Sequence, residues 1–195
     1  MKTTRIIPGL TVDAAMYDAA AAGLAAHTGA ESPLTWGRFT APASWCLVPG
    51  PDGAAYKAEM VLRESIERTL KINIWYLPDR RGGAAPQPHS HPWPFTSHIL
   101  LGGYSEDRYV AGDLASAEMG VEHRSGGANI IPRDLFHEVT AIHEPGRTLS
   151  LMVCGRGRRG SWGYLDPDTG QCTPVRPDPG FTDRFAALNP HISQR

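Results

Sequence analysis

Residues 86–106, PQPHSHPWPFTSHILLGGYSE, carry three of the chain's eight histidines: His89, His91 and His98. Neutral imidazole is a common ligand for transition metals, so closely spaced histidines raise the possibility of a metal centre. In a β-strand, side chains two residues apart share a face. His89 and His91 would therefore present two imidazoles to the same space. An HxH pair also arises by chance, and two half-exposed strand histidines are the ordinary alternative.

The wider context of the pair resembles the cupin superfamily. The first cupin motif is glycine, five residues, HxH, three or four residues, glutamate, six residues, glycine, and here Gly83, His89, His91 and Gly102 stand at those spacings. The second is glycine, five residues, proline, one residue, glycine, two residues, histidine, three residues, asparagine. GANIIPRDLFHEVTA, counted from Gly126, supplies Pro132 and His137, with Asp134 in the second glycine's place and Ala141 in the asparagine's. The resemblance covers about residues 70–165. It implies a metal held by His89, His91 and His137 in an all-β fold, a single antiparallel cupin barrel (double-stranded β-helix or jelly roll).

The motif's glutamate ligand is missing, because Phe95 and Thr96 occupy the positions it could take. A three-histidine site is similar to that of the subgroup containing cysteine dioxygenase and diketone-cleaving dioxygenase. Three neutral ligands leave the full metal charge available to an anionic substrate and leave positions open for O₂. The resemblance thus implies Fe(II), with Zn, Mn, Ni or Cu as other occupants, and dioxygenation or hydroxylation of a small anionic metabolite. Its rivals are a non-redox metal isomerase, lyase or hydrolase and a barrel that merely binds a small molecule. HPWPF, SHILLGGY and RRGSWGY are also similar to a group of small bacterial and phage cupins.

The remaining histidines are less defined. Counted from Phe95, strand parity turns His98 outward and Ser97, Ile99 and Leu101 inward; a bulge near PWPF would reverse this and make His98 a substitute ligand. His143 shares the parity of His137 but sits at the strand's far end, and His123 and His191 read as surface residues. For the substrate site the candidates are Trp93 as a pocket wall, Ser97 on the inner face, and Arg159, which with Arg156 and Arg158 could clamp a carboxylate. A solvated basic turn is the alternative for the arginines. Trp36, Trp45, Trp75 and Trp162 read as packing residues, and Cys154 as a small buried hydrophobe.

These residues need strands to position them. Short apolar runs recur between turn signals such as DRRGG, SGG and EPGR from residue 70 onward, the pattern of a sandwich or barrel. The barrel core is expected over about 70–176, within one domain spanning 1–195. Residues 11–27 read as a helix capped by Thr11, with Met16, Ala20 and Leu24 on one face. Residues 33–53 read as short strand-like pieces, 55–66 are ambiguous between helix and strand, and 177–195 form a proline-rich C-terminal arm. A net charge of -1 gives no footprint for nucleic acid or an anionic membrane. No apolar run approaches the roughly 20 residues that span a bilayer, and the first residues lack a signal-peptide pattern. Cys46, Cys154 and Cys172, without a CxxC, suit free thiols in a reducing cytoplasm. The expected partners are a small substrate and O₂, and the expected assembly is a homodimer.

Overall fold

The computed structural model describes residues 3–28, 33–79, 86–158, 162–176 and 178–192. A hairpin, β1 (Thr3–Ile7) and β2 (Leu10–Asp13), leads into helix α1 (Ala14–Thr28). Asp13, rather than Thr11, caps that helix: its Oδ1 accepts from the Met16 amide at 3.0 Å. The first turn of the expected helix is therefore strand, because Leu10 and Val12 are needed in the core. Met16, Ala20 and Leu24 are buried on the face the sequence assigned.

Six strands form one antiparallel sheet: β3 (Cys46–Pro49), β4 (Ala55–Glu64), β5 (Thr69–Trp75), β6 (Phe95–Leu101), β9 (Ala128–Ile131) and β11 (Thr148–Cys154), in the order β3-β4-β5-β11-β6-β9. A second sheet pairs β7 (Gly103–Val110) with β8 (Asp113–Arg124) and β10 (Leu135–Ile142), in the order β10-β7-β8. The ambiguous segment at 55–66 is the strand β4, whose pairing with β5 decides what local pattern could not. Within 33–53 the first pieces are helical, α2 (Trp36–Phe39) and a 3₁₀ turn (Pro42–Ser44), before β3 begins. The tail forms a small helix, α3 (Phe181–Leu188), anchored by buried Asn189, whose amide donates to Leu47 O at 2.8 Å and accepts from Leu47 N at 2.7 Å.

Alternation in β5 explains the layering. Leu70, Ile72 and Ile74 point to a core shared with Leu149, Leu151, Met60 and the buried face of α1. Lys71, Asn73 and Trp75 point the other way, and Trp75 packs with Ile99, Tyr104 and Val139 between the two sheets. Both faces of the central strands are thus covered, and each large aliphatic side chain sealed on the helix side contributes about 1.5–3 kcal/mol. Truncating Ile72 to alanine would cost about 2–5 kcal/mol. Gly23 sets the helix–sheet distance, since a Cβ there would lie 2.8 Å from Leu100 Cδ2.

The chain leaves β6 for β7 at Gly102, whose φ of 62° and close contact with Thr148 favour a residue without a Cβ. Just before this corner the β6–β11 pairing shifts between Leu149 and Ser150. As a result Ser97 and Ile99 face inward as expected, whereas Leu101 turns to the helix-side core. No helix among the described residues is long and apolar enough to cross a membrane.

Candidate metal centre

His89 and His137 come from segments 48 residues apart but lie opposite each other. Their backbones exchange both hydrogen bonds, His89 N to His137 O at 2.9 Å and His137 N to His89 O at 3.0 Å. Directly paired antiparallel residues project to one side, and HxH spacing adds His91 on that side. The ring centroids lie 4.9 Å (His89–His91), 5.2 Å (His89–His137) and 5.2 Å (His91–His137) apart. One nitrogen from each ring falls within 4.8 Å of the others.

This donor set fits a divalent transition metal. His91 Nε2 and His137 Nε2 are 3.0 Å apart. Two metal–nitrogen bonds of about 2.1 Å at 90–109° place their nitrogens roughly 3.0–3.4 Å apart. Phe95 takes the place of a fourth ligand: its ring meets His91 edge-on at 4.9 Å and lies 5.9 Å from His137. With Ile131, Met152 and Cys154 it forms an apolar floor, against which Trp93 and Leu135 pack. Burial pushes the Cys154 thiol up to about 11, as its reading as a small hydrophobe requires.

A buried carboxylate stands behind His137. Glu106 Oε2 accepts from His137 Nδ1 at 2.8 Å and from Asn129 Nδ2 at 2.9 Å. Its Oε1 accepts from His123 Nε2 at 3.0 Å and Arg108 Nε at 2.5 Å. Burial alone would raise the Glu106 pKa, but hydrogen bonds from His123, His137 and Arg108 hold it far below the ordinary glutamate value. Both oxygens are committed, so Glu106 orients a ligand rather than serving as one. His123 is consequently an interior partner of Glu106, and not the surface residue its sequence context suggested. His191 likewise bonds Trp45 O at 2.9 Å. On the far side of the cluster, Asp79 Oδ2 lies 3.6 Å from His89 Nε2.

Other sequence candidates sit elsewhere. His98 faces outward, where its Nε2 is 2.9 Å from His27 Nε2 on α1, and burial and the neighbouring His27 lower its pKa. His143, at the far end of β10, bonds Ser105 through Nε2 at 3.0 Å. Ser97 is buried on the inner face, where its hydroxyl engages Tyr104. Trp93 does lie beside the cluster, its ring 6.4 Å from that of His91. Arg156 is exposed and pairs with Glu67 at 3.3 Å, the solvated-turn alternative. Arg159 and Gly83 lie outside the described residues.

Two facing antiparallel sheets thus bring the histidines of both sequence motifs to one point between them. This is the arrangement that the cupin resemblance of the two sequence motifs implies. Similar solved structures include a uridine complex of Pac13 from Streptomyces, a nucleoside dehydratase, with 8% identity over 63% of this chain and 84% of that one at a TM-score of 0.42. KdgF from Halomonas has 14% identity over 52% and 82%, at 0.37. An RmlC-like cupin from Shewanella frigidimarina has 13% identity over 58% and 86%, at 0.36. No family model and no curated protein matches the sequence. A shared fold does not fix a reaction, so the chemistry is argued from the site itself.

Proposed function

We propose that this cupin-type chain is a metal-dependent oxygenase, taking Fe(II) at His89, His91 and His137 and acting with O₂ on a small anionic molecule. The observation that carries the reading is the donor set: three imidazoles converge while Phe95 fills the place of an anionic ligand. Fe(II) held by neutral ligands would keep its full charge for an anionic substrate and relay to O₂ the electrons that the substrate loses as it is oxygenated. The chain's own residues do the rest. Glu106 keeps a proton on His137 Nδ1, so the Nε2 lone pair faces the cluster. Phe95, Ile131 and Met152 exclude water from the reacting atoms, and Trp93 walls the approach.

A second reading, a non-redox isomerase, lyase or hydrolase using Zn, Mn or Ni, is favoured by one observation. The Asp79 carboxylate beside His89 could move a proton once substrate is bound. The deciding experiment loads the protein with Fe(II) without oxygen, then follows O₂ consumption over a panel of small carboxylates. Substrate-dependent uptake that disappears in His137→Ala supports the oxygenase. Turnover without uptake, sustained by Zn or Mn, supports the second reading. Metal analysis of untagged protein separates both from a barrel that only binds a ligand.

A further inference from the structure

The inner face of the six-stranded sheet carries a charged cluster that the metal centre does not use. Glu59 on β4 lies opposite Asn73 on β5, and Lys71 shares the inward parity of Asn73 and Trp75. Lys71 Nζ is 3.1 Å from Glu59 Oε1, and Lys57 Nζ is 3.5 Å from Glu59 Oε2. Burial would raise the Glu59 pKa, but Lys57 and Lys71 bring it below the usual value, so the carboxylate stays charged. Solvent still reaches the cluster: the three side chains keep 13%, 15% and 19% exposure for Lys57, Glu59 and Lys71.

A wholly structural ion-pair cluster would be expected to satisfy the polar atoms around it. Two atoms on the same wall depart from that. Asn73 is fully buried, its amide nitrogen reaches only Met152 Sδ at 3.7 Å, and its Oδ1 has no partner among the described residues. Trp93 Nε1 is likewise buried with no acceptor among the described residues. Lys71 ties this wall to the metal centre, because its Nζ lies 5.8 Å from the centroid of the Trp93 ring that neighbours His91. The Lys71 ammonium therefore stands over the indole that neighbours His91, and Asn73 on the same strand and face as Lys71 adds a buried acceptor to that wall.

We propose that Lys71, Trp93 and Asn73 form an oxyanion subsite inside the sandwich, holding a carboxylate or phosphate group of the substrate that also offers a hydrogen-bond donor. The Lys71 ammonium and Trp93 Nε1–H donate to the oxyanion, and Asn73 Oδ1 accepts from the ligand's O–H or N–H. Glu59 holds Lys71 in place. That the opposite end of the ligand meets His89, His91 and His137 rests on the metal-enzyme reading; the subsite does not.

The test titrates the protein with D-malate, L-malate and glycerol 3-phosphate, hydroxylated ligands bearing either a carboxylate or a phosphate, at constant ionic strength against chloride, reading thermal melting and calorimetric binding. At least one should stabilise the parent and bind Lys71→Met about tenfold more weakly or worse. It should bind Trp93→Phe, which keeps the ring but lacks the N–H, more weakly as well. Binding by His91→Ala should persist, which separates the subsite from the metal centre. Preference among the three ligands distinguishes carboxylate from phosphate. Absence of stabilisation by all three, or equal affinity in the parent and Trp93→Phe, overturns the subsite. Loss of metal from neither His91→Ala nor His137→Ala would instead overturn the metal reading and leave the subsite standing.

Discussion

Glu106 Oε2 accepts a hydrogen bond from His137 Nδ1 at 2.8 Å, which leaves His137 Nε2 as the nitrogen facing the other two imidazoles. This contact fixes both tautomer and ring orientation. Glu106→Gln should therefore weaken metal affinity by about 10–100-fold without removing a single ligand. It should also destabilise the fold by about 3–5 kcal/mol, since Arg108 loses its buried carboxylate. Metal titration and denaturant unfolding beside the parent check the two effects separately. Unchanged metal affinity would reduce Glu106 to a structural role.

The ligands themselves make a simpler expectation. His89→Ala and His137→Ala should each lose most bound metal, because two remaining imidazoles cannot hold a divalent ion as three do. The fold should survive, since the main-chain pairing of His89 with His137 involves no side chain. Metal content by elemental analysis and far-ultraviolet circular dichroism measure both. Folded variants that keep their metal would refute the ligand assignment.

What the sequence disclosed about this site was what strand periodicity controls. His89 and His91 share a face by parity alone, and the alternation of Leu70, Ile72 and Ile74 marks β5 as a strand covered by an apolar layer. Glu106 stayed hidden because its partners, His123, Asn129 and His137, reach it through pairings between distant segments. For the same reason His123 looked like a surface residue. Lys57 and Glu59 fall in a segment whose apolar positions also fit a helix, and only the partner strand β5 turns them into the interior. Leu101 faces opposite to its parity because the β6–β11 pairing carries a bulge just before the corner at Gly102.

Acid stability should report the Glu59 cluster. Its carboxyl is held below the ordinary value of 4.5, the lysines overcoming the opposing effect of burial. A depressed folded-state pKa stabilises the native chain above the unfolded value, and that contribution is lost as pH falls through the folded one. Glu59→Gln should remove this part of the acid-side loss, flattening the melting temperature between about pH 5 and pH 3 relative to the parent. Above that range the variant should be the less stable of the two, having lost the carboxylate that Lys71 and Lys57 share. Parallel curves across the whole range would show that Glu59 contributes nothing through its charge.

Phe95→Glu tests the absence of an anionic ligand most directly. The ring stands 4.9 Å from His91 and 5.9 Å from His137, so a carboxylate placed there starts beside the imidazoles. Direct charge attraction should raise metal affinity, whereas O₂-dependent activity should fall, because the new ligand takes an open position and lowers the effective charge of the metal. Without metal the variant should be less stable than the parent by several kcal/mol, since a charged group replaces an aromatic one on the floor shared with Ile131, Met152 and Cys154. Adding metal should recover much of that loss through linkage of binding to folding. Thermal melting with and without metal measures the recovery, and calorimetric titration measures affinity. A variant that stays unstable in saturating metal would mean that residue 95 packs beside the cluster without reaching the metal, and the open positions would then have to lie on the side of Asp79 and Trp93.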